Sequence, residues 1–186
     1  TPRRHGQTFK PADFLAVPIL IDDPGDPRIE PFRAVRERDL VGRQGRFVVE
    51  GEVVLRVLLD RSPHVAEAIL VSPPRAAALA PVLMTAPCPV YQAPQSVLEA
   101  VAGFAIHRGV LALGRRSPAE QMPDLLARCG PRSLVLGLVG LTNHDNVGAA
   151  FRNAAAFGAE AVLLDGQTCD PLYRKAIRVS AGASLF

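Results

Sequence analysis

The chain has 186 residues, 48% of them hydrophobic, which is enough to bury a core and argues against disorder over most of its length. The net charge is +3, and apart from Lys10 and Lys175 every basic residue is an arginine, a fork suited to phosphate, although a GC-rich genome gives the same bias. The longest apolar run, Ser133–Leu141, is too short to span a bilayer. No secretory leader is evident, and Cys88, Cys129 and Cys169 lack CxxC spacing or clustered His, so a cytoplasmic protein with no membrane partner and no metal is expected.

Residues 1–30 read as a basic, Pro/Gly-rich arm in which "FLAVPILI" forms an edge strand, since Pro18 argues against a central one. Pro31 is placed in the first turn of a helix running through "FRAVRERDL". Then follow a strand "RFVVEG", the segment "EVVLRVLLD" that suits helix or strand, a strand "VAEAILVS", a helix "PRAAALAPVL" and a strand "CPVYQA". A helix "PQSVLEAVAG" closed by Gly103 and a strand "GVLALG" complete this unit. The polar, Pro-punctuated stretch 114–123 is the linker. Beyond it lie the strand "SLVLGLVGL", a helix opened by Asp145 or Asn146 as N-cap, the strand "AEAVLLD" and a helix begun by Asp170-Pro171. A further strand is expected to start in "AGASLF". The alternation predicts an α/β fold with a mainly parallel sheet covered by helices.

The segment "NHDNVGAAFRNAAAFG" stands where α/β folds bind ligands, after the carboxyl end of a buried strand. Amides at a helix start favour anions. Arg152 leans toward the helix N-terminus, over Gly148 and Ala149, both small, so that Asn146 and Arg152 are expected to share a phosphate or ribose. From spacing alone, a cap and a solvated arginine explain the same residues.

The wider segment resembles the first signature of the SpoU/TrmH family of RNA ribose 2′-O-methyltransferases, matched at Asn146, Gly148, Arg152, Ala154, Phe157 and Gly158. "DPLYRKAIRVSAGASLF" resembles the family's next segment through Arg178, Ser180, Gly182 and Ala183. "RFVVEGEVVL" and "HRGVLAL" look like stretches of the small RNA-binding domain that precedes catalysis in many members. The resemblance implies a small N-terminal α/β RNA-binding domain followed by the first part of a knotted, mainly parallel-sheet SPOUT methyltransferase domain. The boundaries are 1–30 for the arm, 31–115 for RNA substrate recognition, 116–131 for a linker and connecting helix, and 132–186 for the incomplete catalytic part. It further implies S-adenosylmethionine as cofactor, rRNA or tRNA as substrate and a homodimer. By the same resemblance Asn146 and Arg152 are the expected catalytic residues, with Arg152 anchoring phosphate or developing alkoxide and Asn146 orienting Arg152 or the ribose.

Arg174, Lys175 and Arg178, on one predicted helix, are RNA-binding candidates, as are Arg33 and Arg36; a solvated face is the plain alternative. Glu50 is taken as a helix cap and His107 as a strand-entry residue. The family's two downstream signatures, which supply most of the cofactor pocket and form the knot, do not occur here. Cofactor residues are therefore expected downstream of Phe186, and the chain alone is expected to be inactive. A non-catalytic RNA-binding module is the second reading; an α/β protein binding a small phosphate is a weaker third, lacking a Gly-rich phosphate loop.

Overall fold

A computed structural model of the chain describes residues 17–33, 37–103 and 106–186. Five strands form one sheet in the order β1 (Ile19–Leu20), β4 (Val90–Gln92), β3 (Val65–Val71), β5 (Val110–Arg115), β2 (Arg46–Glu50). The β1–β4 and β3–β4 pairs are parallel; β5 runs antiparallel to both β3 and β2. A second sheet pairs β6 (Val135–Leu138) with β7 (Ala161–Leu164) in parallel. Parallel pairs thus predominate among the described strands, and the antiparallel β5 is the exception within the alternating pattern.

Helices follow from the same periodicities. α2 (Glu52–Asp60) covers the segment whose valines also suited a strand. Helical spacing buries Val54, Leu55 and Leu58 together, places Glu52 against Arg56 one turn on, and leaves Val53 in solvent. α3 (Pro73–Ala78) and α4 (Ala80–Leu83) divide the predicted "PRAAALAPVL" helix between them. α5 (Gln95–Ala102) stops where Gly103 adopts φ 71°, as predicted.

Three expectations change. The helix placed from Pro31 is a 3-10 turn over Pro27–Phe32, followed by extended Arg33, and α1 begins at Glu37 and ends at Gln44. The described part of the supposed arm, though largely exposed, is tied to the core: β1 is indeed an edge strand, while Ile21 and Ile29, with Phe32 just beyond, are buried against α5 and one face of the sheet. The Pro/Gly-rich spelling of 22–31 reflects tight turns, with Asp26 capping the 3-10 turn through the Arg28 amide at 2.8 Å. Finally, "AGASLF" is no strand. Ala181 and Gly182 take φ of 53° and 87°, which reverses the chain into a 3-10 turn over Ala183–Leu185.

The two faces of the large sheet carry two apolar layers, as strand alternation requires. Ala68, Leu70, Leu111 and Leu113 pack on α5 and the N-terminal segment. Phe47, Val49, Ile69, Val71 and Ala112 face α2, and Leu172, Ile177 and Leu185 from the far end of the sequence complete that layer. Ile177 belongs to α8 (Arg174–Val179) and Leu185 to the terminal 3-10 turn. The C-terminal segment is therefore part of the N-terminal core. Cys88 sits in the same layer, where burial pushes its thiol up to about 12, in keeping with a packed thiol.

The chain between the sheets is held by short bonds. Ser117 donates its hydroxyl to the Pro63 carbonyl at 2.5 Å and its amide to His64 Nδ1 at 3.2 Å, and Arg116 pairs with Asp170. Burial pushes the His64 pKa below its ordinary value, with Arg116 adding to the effect and Asp170 partly offsetting it. The fold therefore holds His64 neutral, with Nδ1 accepting, while the unfolded chain takes up the proton more readily. Stability from this group is complete at neutral pH and is lost as pH falls below about 6.5. The urea midpoint is expected to fall between about pH 7 and about pH 5, and less steeply in His64→Gln. Ile177→Ala should lower unfolding free energy by about 2–5 kcal/mol, with both sheets lost in one transition by circular dichroism.

Candidate active site

β6 ends at Leu138, and the chain reaches α7 (His144–Ala156) through Val139–Asn143. A turn after β7 braces this loop. Asp165 accepts from the Gly140 amide at 3.1 Å and from the Thr168 hydroxyl at 2.6 Å, and Thr168 Oγ1 accepts from the Leu141 amide at 3.2 Å. The Thr168 hydroxyl and the Gly140 amide hold the Asp165 carboxyl below its usual range. Sequence reasoning passed over Asp165 and Thr168, although "DGQT" carries the Asp-x-x-Thr spacing of a self-bonded turn.

The helix cap is Asn143, earlier than the predicted Asp145 or Asn146. Its side-chain oxygen accepts from the amides of Asp145 at 2.8 Å and Asn146 at 3.1 Å. Two of the first-turn amides are thus already used, and the Asp145 carboxylate adds negative charge there. Anion capture by the bare helix start is weakened accordingly, and the burden passes to side chains.

Both predicted catalytic side chains lie on α7 with Asn146 in its first turn, and both are exposed. Six residues apart, they stand about 9 Å from each other along the helix axis, and no hydrogen bond joins them. Gly148 does not make room for the Arg152 guanidinium. A Cβ there would meet the Ala176 carbonyl oxygen at 2.6 Å and Val179 Cβ at 2.8 Å, so its smallness serves the close approach of α8. Arg152 has no carboxylate partner among the described residues.

The basic candidates separate. Arg174 Nη1 lies 3.4 Å from the buried carboxylate of Glu50, which therefore pairs across the structure while Gly51 caps α2. Lys175 Nζ lies 2.6 Å from Asp145 Oδ2. Arg178 is exposed, and no ion pair engages it among the described residues. Arg33 pairs with Glu30 and donates to the Pro24 carbonyl at 2.9 Å, on the sheet face opposite α8. Arg36 lies outside the described residues. His107 is exposed in the turn before β5.

A cavity of about 450 Å³ opens beside the carboxyl end of β7, lined by His64, Arg116, Asp165, Thr168, Asp170 and Ser184 among others. Neither Asn146 nor Arg152 lines it. At the α7 start the described residues do not enclose a cofactor: Asn146 is open to solvent and Val139 is 81% exposed. No cluster of His, Cys, Asp and Glu suited to a metal occurs among the described residues, and no described helix is long and apolar enough to cross a membrane.

Residues 133–186, which carry this whole arrangement from β6 to the terminal turn, match the SpoU rRNA methylase family. That segment belongs to the family. An uncharacterized tRNA/rRNA methyltransferase of Mycobacterium bovis is 36% identical over 167 residues, 88% of this chain and 57% of that protein. A 23S rRNA (guanosine-2′-O-)-methyltransferase of Acinetobacter baylyi is 35% identical over 97 residues, 51% of this chain and 39% of the relative. The AdoMet-bound rRNA methyltransferase from Sinorhizobium meliloti superposes with a TM-score of 0.73 at 16% identity, over 89% of this chain and 61% of that one, which shows the shared α/β fold. The chain thus spans about 57% of the length of the Mycobacterium bovis relative.

Within the matched segment, Gly148→Ala should part α7 from α8 and cost about 1–3 kcal/mol in urea unfolding, because the obstructing atom is backbone. An unchanged midpoint would mean that the helices are not held at this distance.

Proposed function

We propose that the full-length protein is an S-adenosylmethionine-dependent methyltransferase acting on a ribose 2′-hydroxyl of rRNA or tRNA. The observation that carries this reading is the pair Asn146 and Arg152, exposed on the helix that follows the carboxyl end of β6 within the family-matched segment. The 2′-oxygen as target is supported by the Acinetobacter relative's name, and the cofactor by the AdoMet-bound neighbour. No residue described here is assigned to the cofactor.

Chemistry at a ribose hydroxyl needs the oxygen held in line for attack and its developing charge stabilised. A guanidinium stays protonated at ordinary pH, so Arg152 acts as a fixed cation beside the phosphate or the developing alkoxide, and does not take the proton itself. Asn146 offers one acceptor and two donors to the ribose or its phosphate. Arg178, exposed on the adjoining α8, extends the cationic surface for the RNA backbone, with Arg174 and Lys175 beside it. Arg33 and Arg36 belong to the recognition unit, which we place over residues 31–115, ahead of a linker at 116–131. A homodimer completes the proposal.

The test is transfer of tritiated methyl from S-adenosylmethionine to RNA from cells lacking the gene, using the full-length protein. Arg152→Ala should reduce 2′-O-methylribose formation by about 10²-fold or more. Its urea midpoint should shift by less than about 0.5 kcal/mol equivalent, since the side chain is exposed. Full activity in this variant refutes the anchor, and salt-sensitive RNA binding with no label in the wild type favours a non-catalytic binder.

A further inference from the structure

Glu50 ends β2 in the N-terminal sheet and is 5% exposed. A carboxylate so placed is costly unless paired. Its cationic partner comes from the catalytic segment, Arg174 at the start of α8, 124 positions later in the sequence. The α2 helix does not need Glu50 as a cap, because Gly51 at φ 94° occupies that position. Arg108, from the loop before β5, lies close over Gly51 beside it.

The residues flanking Arg174 reach the other way. The Tyr173 ring meets the edge of His144 at a centroid distance of 4.9 Å and an interplanar angle of 88°. Lys175 holds Asp145 at 2.6 Å, and the Ala176 carbonyl lies against Gly148. His144 and Asp145 are the first two residues of α7, and Asn146 is the third. Three of the four successive residues 173–176 thus hold the start of α7, and the fourth, Arg174, is held by Glu50.

We propose that Glu50 is a positioning residue: by anchoring Arg174 it fixes the start of α8, and through Tyr173 and Lys175 it sets where α7 presents Asn146 to the RNA. This rests on the methyltransferase reading for its consequence in catalysis, but the positioning can be measured without it. The N-terminal sheet, in this arrangement, aligns the catalytic helix as well as adding to the surface of the protein.

The test uses the full-length protein. In Glu50→Gln, amide hydrogen exchange at residues 143–147 is expected to accelerate about tenfold or more, while β3 and β5 keep wild-type protection. The kcat for RNA methylation should fall about tenfold with KM for RNA within about twofold, the split expected when alignment and not binding is lost. In the Glu50→Gln/Arg174→Gln double variant, exchange at residues 143–147 should be no faster than in Glu50→Gln alone. Should Glu50→Gln fail to fold, Glu50→Asp, which keeps the charge and shortens the reach, carries the same measurements with a smaller effect. Wild-type exchange at 143–147 in either folded variant, or additive acceleration of that exchange in the double variant, overturns the proposal. Absence of methyl transfer by the wild-type protein refutes the methyltransferase reading alone, and the exchange data still decide the role of Glu50.

Discussion

The packing of α8 sets the rest of the structure. This helix of six residues is too short to be stable by itself. It exists because one side of it, through Ile177, is sunk in the core beneath the five-stranded sheet, while its other side lies against α7 at the distance of a glycine. Leu172 before it and Leu185 after it enter the same core, so the segment is pinned at three points. The reversal at Ala181 and Gly182 is what turns the chain back to bring Leu185 there. The hydroxyl of Ser62, at the end of α2, then bonds the Leu185 carbonyl at 2.7 Å.

That packing decides what the start of α7 can do. Gly148 is consumed by helix contact, and Asn143 by capping, so neither offers a cradle for a ligand. What remains directed to solvent is a set of side chains, Asn146 and Arg152. An anion site built on side chains is adjustable, whereas one built on helix amides is fixed by the backbone. The Asp165–Thr168 turn supplies rigidity from the opposite side, by holding both Gly140 and Leu141 in the loop that leads into the helix.

Strands with two buried faces, such as "VAEAILV" and "VLALGR", were legible because continuous apolar runs bounded by Pro or Gly leave few alternatives. The α5 helix was legible through its terminal glycine. The 3-10 turn at Pro27–Phe32 was not, because a Pro-rich, charged stretch spells an exposed arm, while Ile29 and Phe32 reach the core from a turn with no period to reveal them. "AGASLF" misled for a related reason: small residues before an apolar pair spell a strand, and only the left-handed Ala181–Gly182 step makes it a turn. At the site, the positions of Asn146 and Arg152 on one helix could be read. The role of Gly148 could not, since it depends on a carbonyl 28 residues away, and neither could the pairing of Glu50 with Arg174.

The arginine bias gains a structural meaning from the same contacts. Arg46 and Arg115 share Glu67 at the end of the sheet, Arg56 pairs with Glu52, Arg116 with Asp170, Arg128 with Glu120 and Arg174 with Glu50. The exposed pairs among these contribute little to stability, typically about 0–1 kcal/mol each, and all of them neutralise the cations they engage. The modest net charge is therefore a poor guide to where a polyanion would settle. What counts is which cations the fold leaves without a carboxylate. Arg152 and Arg178, on two helices in direct contact, meet that condition among the described residues, and both fall inside the family-matched segment. An RNA phosphate there would meet cations that do not first have to break an internal ion pair, a lower cost than at Arg33 or Arg116.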